Sequence, residues 1–447
     1  MRSAQKKIDP LQGRIKDAHG SSFKMIIVIF LITLSFIFLV YYPSLGQSYR
    51  GDHWIWLGDT CQLENSFPEI CSETYSYNRQ RVLYPGDFQL YRPLLFACLA
   101  FKQVIFGHIT FLHQLFNLLV YLAFLTFVFL VMLSIPDTKN SIEKSTSFSP
   151  VHCAIVSCIS IFFISVNPMN YELVTWSHIS GYLVSYFLIF GAIFLVSREV
   201  KEYPPSVKRL FAPVSILTIS CFFYEITQAV CLVFGFSLML AVKKSSTLRR
   251  FSYFLLFCFP ICIYQIFNRI DYYDKIIPNI SGTIPSLVDF LKIDHSEIYK
   301  CFLLIVKFLA FNPLTTSIPD MQSSPLGRTF VFMSSFNALD LAIIFVIILA
   351  SLSGIFYLIH AGPSGLFLIF CMGGMLFINP TAMLLRTIRH PQGESLIYES
   401  SYYAILPMIS ILFFYNSQHS IFEMERHAFS ENNWCHSTIN YRNFSSP

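Results

Sequence analysis

The sequence predicts an all-α polytopic membrane protein, on three observations. Charged residues make up 13% of the 447 positions, against 54% hydrophobic and 17% aromatic, whereas a soluble domain carries about a quarter of its residues as charges. Apolar runs of bilayer-crossing length recur from residue 25 to residue 416. Basic residues collect in alternate gaps between those runs. Together these exclude an ordinary soluble enzyme. Disorder is excluded too, since disordered chains are poor in aromatics and this one holds 47 Phe and 24 Tyr. The net charge of +5 is too small to point to nucleic acid.

Residues 1–24 carry Arg2, Lys6, Lys7, Arg14, Lys16 and Lys24 against Asp9 and Asp17, and residues 25–42 then contain no charge. The basic flank keeps the N-terminus cytoplasmic, and the run lacks a small-residue cleavage site, so it reads as a retained anchor. The first loop, 43–92, is therefore outside. Further apolar runs lie at 111–134, 150–166, 177–197, 210–224, 226–242, 251–267, 339–360, 364–379 and 401–416. With the first they give a bundle of about ten transmembrane helices. The gaps 198–209, with Arg198, Lys201, Lys208 and Arg209, and 243–250, with Lys243, Lys244, Arg249 and Arg250, fall on the cytoplasmic side of this topology. The transmembrane domain is thus 25–416, with a long outer loop at 268–338, a last outer loop at 380–400 and a polar tail at 417–447.

Residues 298–312, a short apolar run broken by Lys307, read as a short span, a re-entrant segment or an interfacial helix. Residues 93–107 are too short for a span and carry Lys102, so they read as a helix along the outer interface. Most of the 12 cysteines, among them Cys153, Cys158, Cys221, Cys231, Cys258 and Cys262, lie in apolar runs and pack as small hydrophobes. Cys61 and Cys71 share the first polar loop, either as a disulfide in an oxidising compartment or as a chance pair.

Ionisable groups in or beside membrane spans are costly, which makes them the functional candidates. On this topology they gather at the outer helix ends: Asp52 and Asp59 after the first span, Asp87 and Arg92 before the second, His113 and Asn117 one turn apart at its start. Glu172 and His178 lie in and beside the 167–177 turn, Glu225 in an otherwise apolar hairpin, and Arg386, Arg389 and Glu394 in the last outer loop. They are expected to line one outward cavity. Against this, Asp59, Glu64, Glu69 and Glu73 read as solvated loop charges, and His113 with Asn117 equally as hydrogen-bond glue between helices. Glu225 must be paired, neutral or at a helix end.

Such a set suits transfer chemistry from a lipid carrier. A carboxylate can act as general base on an acceptor hydroxyl, and Arg side chains or a metal can hold a phosphate. The chain has no phosphate-binding P-loop, no dinucleotide fingerprint, no H-E-x-x-H and no paired C-x-x-C.

The run LYRPLLFACLAFKQVIFGHITFLHQLFNLLVYL, 90–122, resembles the YRPL segment and the following histidine/asparagine helix of the C-type membrane glycosyltransferases, in particular the transmembrane O-mannosyltransferases and their bacterial relatives. NPMNYELVTW, 167–176, is similar to that family's H-P-x-x-x-E-x-V-x-W, with Asn167 in the His position and Pro168, Glu172, Val174 and Trp176 matching. FFYEITQAV, 222–230, resembles its S-K-E helix start, with Tyr224 in place of Lys and Glu225 kept. ESLIYESS, 394–401, resembles its E-R-x-x-Y-x-P-S, keeping Glu394, Tyr398 and Ser401 but with Ser395 in place of Arg. The long loop 268–338 is poorly matched, and the TPR array that this family often carries does not follow.

The resemblance implies an inverting hexosyltransferase with a C-type bundle and an active site built from outer loops. Its donor would be a polyprenyl-phosphate-linked sugar such as glucose or mannose, and its acceptor a glycan, such as lipid-linked O-antigen, or a protein. It implies Asp52 as catalytic base, with Asp59 second choice, and Asp87 as a second acidic group. Arg92 would contact the donor phosphate beside Tyr91, and Glu172, Trp176 and Glu225 would shape the site. His113, Asn117, His178, Glu394 and Tyr398 belong to the same substrate-binding set, and Arg386 and Arg389 stand in for the missing Lys and Arg. A divalent metal, Mg or Mn, is left open. The implied location is a bacterial inner membrane with the site on the periplasmic face, as in serotype-conversion transferases. A lipid-linked sugar transporter or flippase, and an O-antigen polymerase or ligase, are the alternatives. A transporter predicts related halves, which the sequence lacks.

Overall fold

A computed structural model describes residues 9–46, 92–134, 150–166, 170–176, 179–201, 204–243, 245–275 and 362–389, with Pro68 and short pieces between 349 and 359 and between 409 and 414. Among these residues the structure is helical, without a strand. The helices are α1 (Asp9–Tyr41), α2 (Pro93–Phe106), α3 (Thr110–Leu133), α4 (Pro150–Val166), α5 (Tyr171–Thr175), α6 (Ser180–Lys201), α7 (Val207–Phe223), α8 (Thr227–Ala241), α9 (Thr247–Lys275) and α10 (Gly362–Arg389). Four stretches, Ser22–Ser44, Thr110–Leu133, Ser180–Lys201 and Thr247–Asn268, are long and apolar enough to cross a membrane. This is the architecture of an α-helical membrane protein.

Helix α6 is the hub. Its apolar residues run all round the axis, and Leu183, Tyr186, Ile189, Phe190, Ile193 and Val196 are buried against α3, α7, α2 and α10. A helix apolar on every side belongs in a core or a bilayer. By contrast α1 buries one stripe, Phe30, Ile37 and Tyr41, and leaves Phe23, Leu31, Phe36 and Leu39 more than half exposed. So large an apolar face suits lipid, not water. On its buried stripe, Phe30 stacks on Phe129 of α3 at 4.2 Å, and the Tyr41 hydroxyl donates to the Ser165 carbonyl of α4.

The two ends of the bundle differ in chemistry. At one end lie Arg198 and Lys201 in the last turn of α6, Lys208 and Arg209 at the start of α7, and Arg249 and Arg250 at the start of α9. There Tyr253 donates to the Pro205 carbonyl at 2.8 Å and receives Arg249 Nε at 3.0 Å, while Arg250 Nε reaches the Met239 carbonyl. Arg198 and Lys201 lie at the negative dipole end of α6, and Arg250 reaches a carbonyl in the last turn of α8. At the other end are the N-termini of α2, α6 and α8 and the C-terminus of α7.

Three findings refine the sequence reading. The 93–107 helix, α2, packs against α6 and α7 and buries Lys102 wholly. Residues 380–389, expected in the last outer loop, continue α10. At the other end of the chain, α1 begins within the basic leader, at Asp9. The loop residues 276–338 lie outside the described residues.

The α2–α6 contact depends on a glycine. A Cβ on Gly181 would stand 2.3 Å from Leu95 Cδ1 and 3.2 Å from Leu95 Cβ. Overpacking of this kind costs about 1–3 kcal/mol. Gly181→Ala should therefore lower the thermal unfolding midpoint of the detergent-solubilised protein, and an unchanged midpoint would mean that the two helices are farther apart.

Candidate functional site

The site is built where α2 begins. Proline at position 93 suits the first helical turn, because its missing N–H would have no partner there. It also keeps the preceding residue out of the helical conformation. Arg92 accordingly sits at φ −126°, ψ 57°, off the helix path. From this position its side chain crosses to the turn between α7 and α8. The guanidinium Nε and Nη2 donate to the two carboxylate oxygens of Glu225, a forked pair, and Nη1 donates to the Tyr182 hydroxyl at 2.7 Å.

Aromatic rings complete the arrangement. The guanidinium carbon lies 5.3 Å from the Tyr182 ring centre and 5.4 Å from that of Tyr224, and the two rings meet edge to face at 4.3 Å. Burial opposes the Arg92 charge, but Glu225, Tyr182 and Tyr224 outweigh it and hold its pKa above the ordinary value. Arg92 is 15% exposed and Glu225 26%. The pair is shielded yet reachable from the bundle end. Of the alternatives for Glu225, the structure shows a pair, with Arg92 at the start of α2, in a turn between two helix ends.

What bends the chain at Glu225 is a set of hydroxyls. The segment CFFYEITQAV holds neither Gly nor Pro, yet α7 stops at Tyr224, which is extended at φ −154°, ψ 119°. One turn below, Ser185 of α6, Ser220 of α7 and Thr227 of α8 form a closed, fully buried ring, with hydroxyl separations of 2.8, 3.0 and 3.0 Å. Thr227 N–H bonds the Tyr224 carbonyl, and its hydroxyl also faces the Ser220 carbonyl at 3.4 Å. The ring holds three helix ends in register, with Tyr182, Tyr224 and Glu225 within one turn of it. Thr227→Val, of nearly the same shape, leaves Ser185 and Ser220 short of a partner at about 1–3 kcal/mol. The expected result is a lower unfolding midpoint, restored by Thr227→Ser; a midpoint unmoved by the valine would remove the ring's role.

A second buried network lies behind the first. Lys102 Nζ donates to Asn117 Oδ1 at 3.1 Å and to Ser180 Oγ at 2.8 Å, and lies 5.4 Å from the Phe116 ring centre. Asn117 Nδ2 then donates to the Trp176 carbonyl at 2.9 Å. His113 Nε2 bonds the Gly107 carbonyl at 2.9 Å, with its ring edge-on to Phe106. Gly107, at φ 56°, makes the α2–α3 turn. His113 and Asn117, expected either to line a cavity or to act as hydrogen-bond glue, are 1% and 0% exposed and tie α2, α3 and the start of α6 together. Trp176 is half-buried against the core.

The structure therefore joins Arg92 with Glu225, and Asn117 with Trp176. Asp52, Asp59, Asp87, Tyr91, His178, Glu394 and Tyr398, and the Cys61 and Cys71 pair, lie outside the described residues. Glu172 falls on α5 and Arg386 and Arg389 on α10, and only their backbone is described. Sequence reasoning missed Tyr182 and the hydroxyl ring, which carry no pattern. It also did not identify the partners of Lys102, whose isolation in an apolar run signals a buried, paired cation. Among the described residues no three of His, Cys, Asp or Glu stand together as a metal site.

No protein-family model, curated protein or solved structure matches this chain.

Proposed function

We propose that the chain is a membrane glycosyltransferase of the C-type architecture, with about ten spans, that takes a hexose from a polyprenyl-phosphate carrier. The acceptor is a hydroxyl of a cell-envelope glycan, such as lipid-linked O-antigen, presented on the periplasmic face of a bacterial inner membrane. The observation that carries this reading is Arg92. It is the arginine of the YRPL motif, and it is held in a forked, aromatic-walled setting at the end of the bundle opposite the basic loops. Forked guanidinium geometry matches phosphate oxygens as well as carboxylate ones.

In the reaction the acceptor oxygen attacks the anomeric carbon while the bond from that carbon to the phosphate oxygen breaks. Asp52 takes the acceptor's proton, and Arg92 holds the charge that develops on the departing lipid phosphate. Configuration at the anomeric carbon inverts. The apolar helices keep the carrier chain in lipid.

Gene deletion tests this reading in the cell. Surface polysaccharides of the deletion strain should lack one side-branch hexose and its linkage; an unchanged sugar and linkage composition would oppose the proposal. Sidedness is tested separately: a tag at Asn65 should be reachable only from outside and one at Ser246 only from the cytoplasm. A cytoplasmic Asn65 would end the argument.

A further inference from the structure

The setting of Arg92 bears on which anions can reach it, and this inference rests on its reading as a phosphate ligand. All three guanidinium nitrogens are engaged, Nε and Nη2 by Glu225 and Nη1 by Tyr182. Tyrosine rings lie against the guanidinium. Of the two charged partners the carboxylate is the more exposed, 26% against 15%. An anion coming from the open end of the bundle therefore meets a like charge before it meets Arg92.

A carboxylate and a phosphodiester present the same two-oxygen edge to a guanidinium fork. Glu225 also sits in the turn between α7 and α8, not inside either helix. Its backbone carbonyl accepts from Gln228 N–H at 3.0 Å, while the neighbouring Tyr224 and Thr227 are fixed by the hydroxyl ring. The carboxylate can swing outward without unwinding a helix.

We infer that Glu225 holds the place of the donor phosphate on Arg92 and exchanges with it, making Glu225 the residue that restricts the site to lipid-linked phosphates. Exchange replaces one forked ion pair with another, so the phosphate contact alone provides little net free energy. A ligand must bring further binding energy to displace Glu225. A polyprenyl chain buried along the apolar helices supplies it. Inorganic phosphate and sugar phosphates bring no such chain, and Glu225 excludes them.

The test is equilibrium binding of a radiolabelled polyprenyl monophosphate to the full chain in lipid nanodiscs, with inorganic phosphate as competitor. Wild type should bind the lipid phosphate and ignore millimolar inorganic phosphate. Glu225→Gln removes the competing charge, so it should bind the lipid about tenfold more tightly. It should also become sensitive to inorganic phosphate. Arg92→Gln should lose binding. Glu225→Asp, which keeps the charge but shortens its reach, should fall between wild type and the glutamine variant; should Glu225→Gln fail to fold, it decides the question by binding more tightly than wild type.

Should either Glu225 variant weaken binding as Arg92→Gln does, Glu225 is a brace for Arg92 and the exchange is wrong. No binding by wild type overturns it as well. If wild type binds the lipid phosphate and Glu225→Gln tightens it, yet no sugar is transferred, the exchange stands and the transferase reading falls.

Discussion

Arg92→Gln is expected to reduce sugar transfer at least a hundredfold while the helical bundle persists. The glutamine amide keeps a donor for Tyr182 but loses the charge and the fork that meets Glu225. Two losses follow. The leaving phosphate loses the cation that stabilises its developing charge; removing one such electrostatic donor typically costs about 10²–10³ in rate. In addition Glu225 is left without its ionic partner, and breaking a buried pair from one side costs about 3–5 kcal/mol. Here the carboxylate is 26% exposed and can turn to water, so the stability loss should lie below that range. Arg92→Lys separates the two effects. It keeps the charge but not the planar fork, and should recover stability more fully than rate. Initial rates with a polyprenyl-phosphate hexose, taken beside thermal unfolding, measure both.

Asp52→Asn is the second large effect, a loss of about 10²–10⁴ in rate with folding and membrane insertion unchanged. The amide matches the carboxylate in shape but cannot take the acceptor's proton. Asp52 itself lies outside the described residues, but the first helix, whose end is at Tyr41, does not. The end of α1 is fixed by Tyr41, which donates to Ser165 at the end of α4 and packs on Tyr121 at 5.9 Å. Tyr121 is one turn beyond Asn117, which reaches Trp176 and, through Lys102, the first residue of α6. The first loop therefore departs from the same end of the bundle that carries Arg92. An Asp52→Asn protein that transfers sugar at the normal rate would remove this base; Asp59 would be the next to test.

Hydrophobic runs made most helices legible, because in lipid the spans differ from the loops by composition alone. Runs expected at 111–134, 150–166, 210–224 and 226–242 correspond to helices Thr110–Leu133, Pro150–Val166, Val207–Phe223 and Thr227–Ala241. Hydropathy said less about α2. Its 14 residues and its single lysine do not reveal that Asn117 and Ser180 satisfy that lysine from other helices. A one-dimensional reading counts a charge as a cost and does not see the partner that offsets it. The α10 helix outruns its apolar stretch to Arg389 for a related reason: hydropathy marks what lipid tolerates, not where backbone hydrogen bonding stops.

The candidate site was legible in its charges and not in its geometry. Glu225 had to be paired, neutral or at a helix end, and Arg92 was a cation beside a proline, yet 133 positions separate them. Nothing local joins the two. Tyr182 is one of 24 tyrosines, and Ser185, Ser220 and Thr227 are ordinary residues for a membrane helix; they become a site only when α6, α7 and α8 are brought side by side. His113 and Asn117 show the converse, a pair conspicuous in sequence that the fold uses to clamp helices together.

The central claim is that this bundle moves sugar from a lipid phosphate with Arg92 on the leaving group. It is tested most directly by incubating the purified chain, in vesicles containing radiolabelled polyprenyl-phosphate hexose, with O-antigen acceptor lipid. Labelled glucose and mannose donors are compared, and both donor consumption and the anomeric linkage of the product are read. The expected result is donor-dependent labelling of the acceptor with inversion at the anomeric carbon by wild type, and essentially none by Arg92→Gln. Transfer by Arg92→Gln at the wild-type rate, or intact donor carried across the membrane without cleavage, would contradict it.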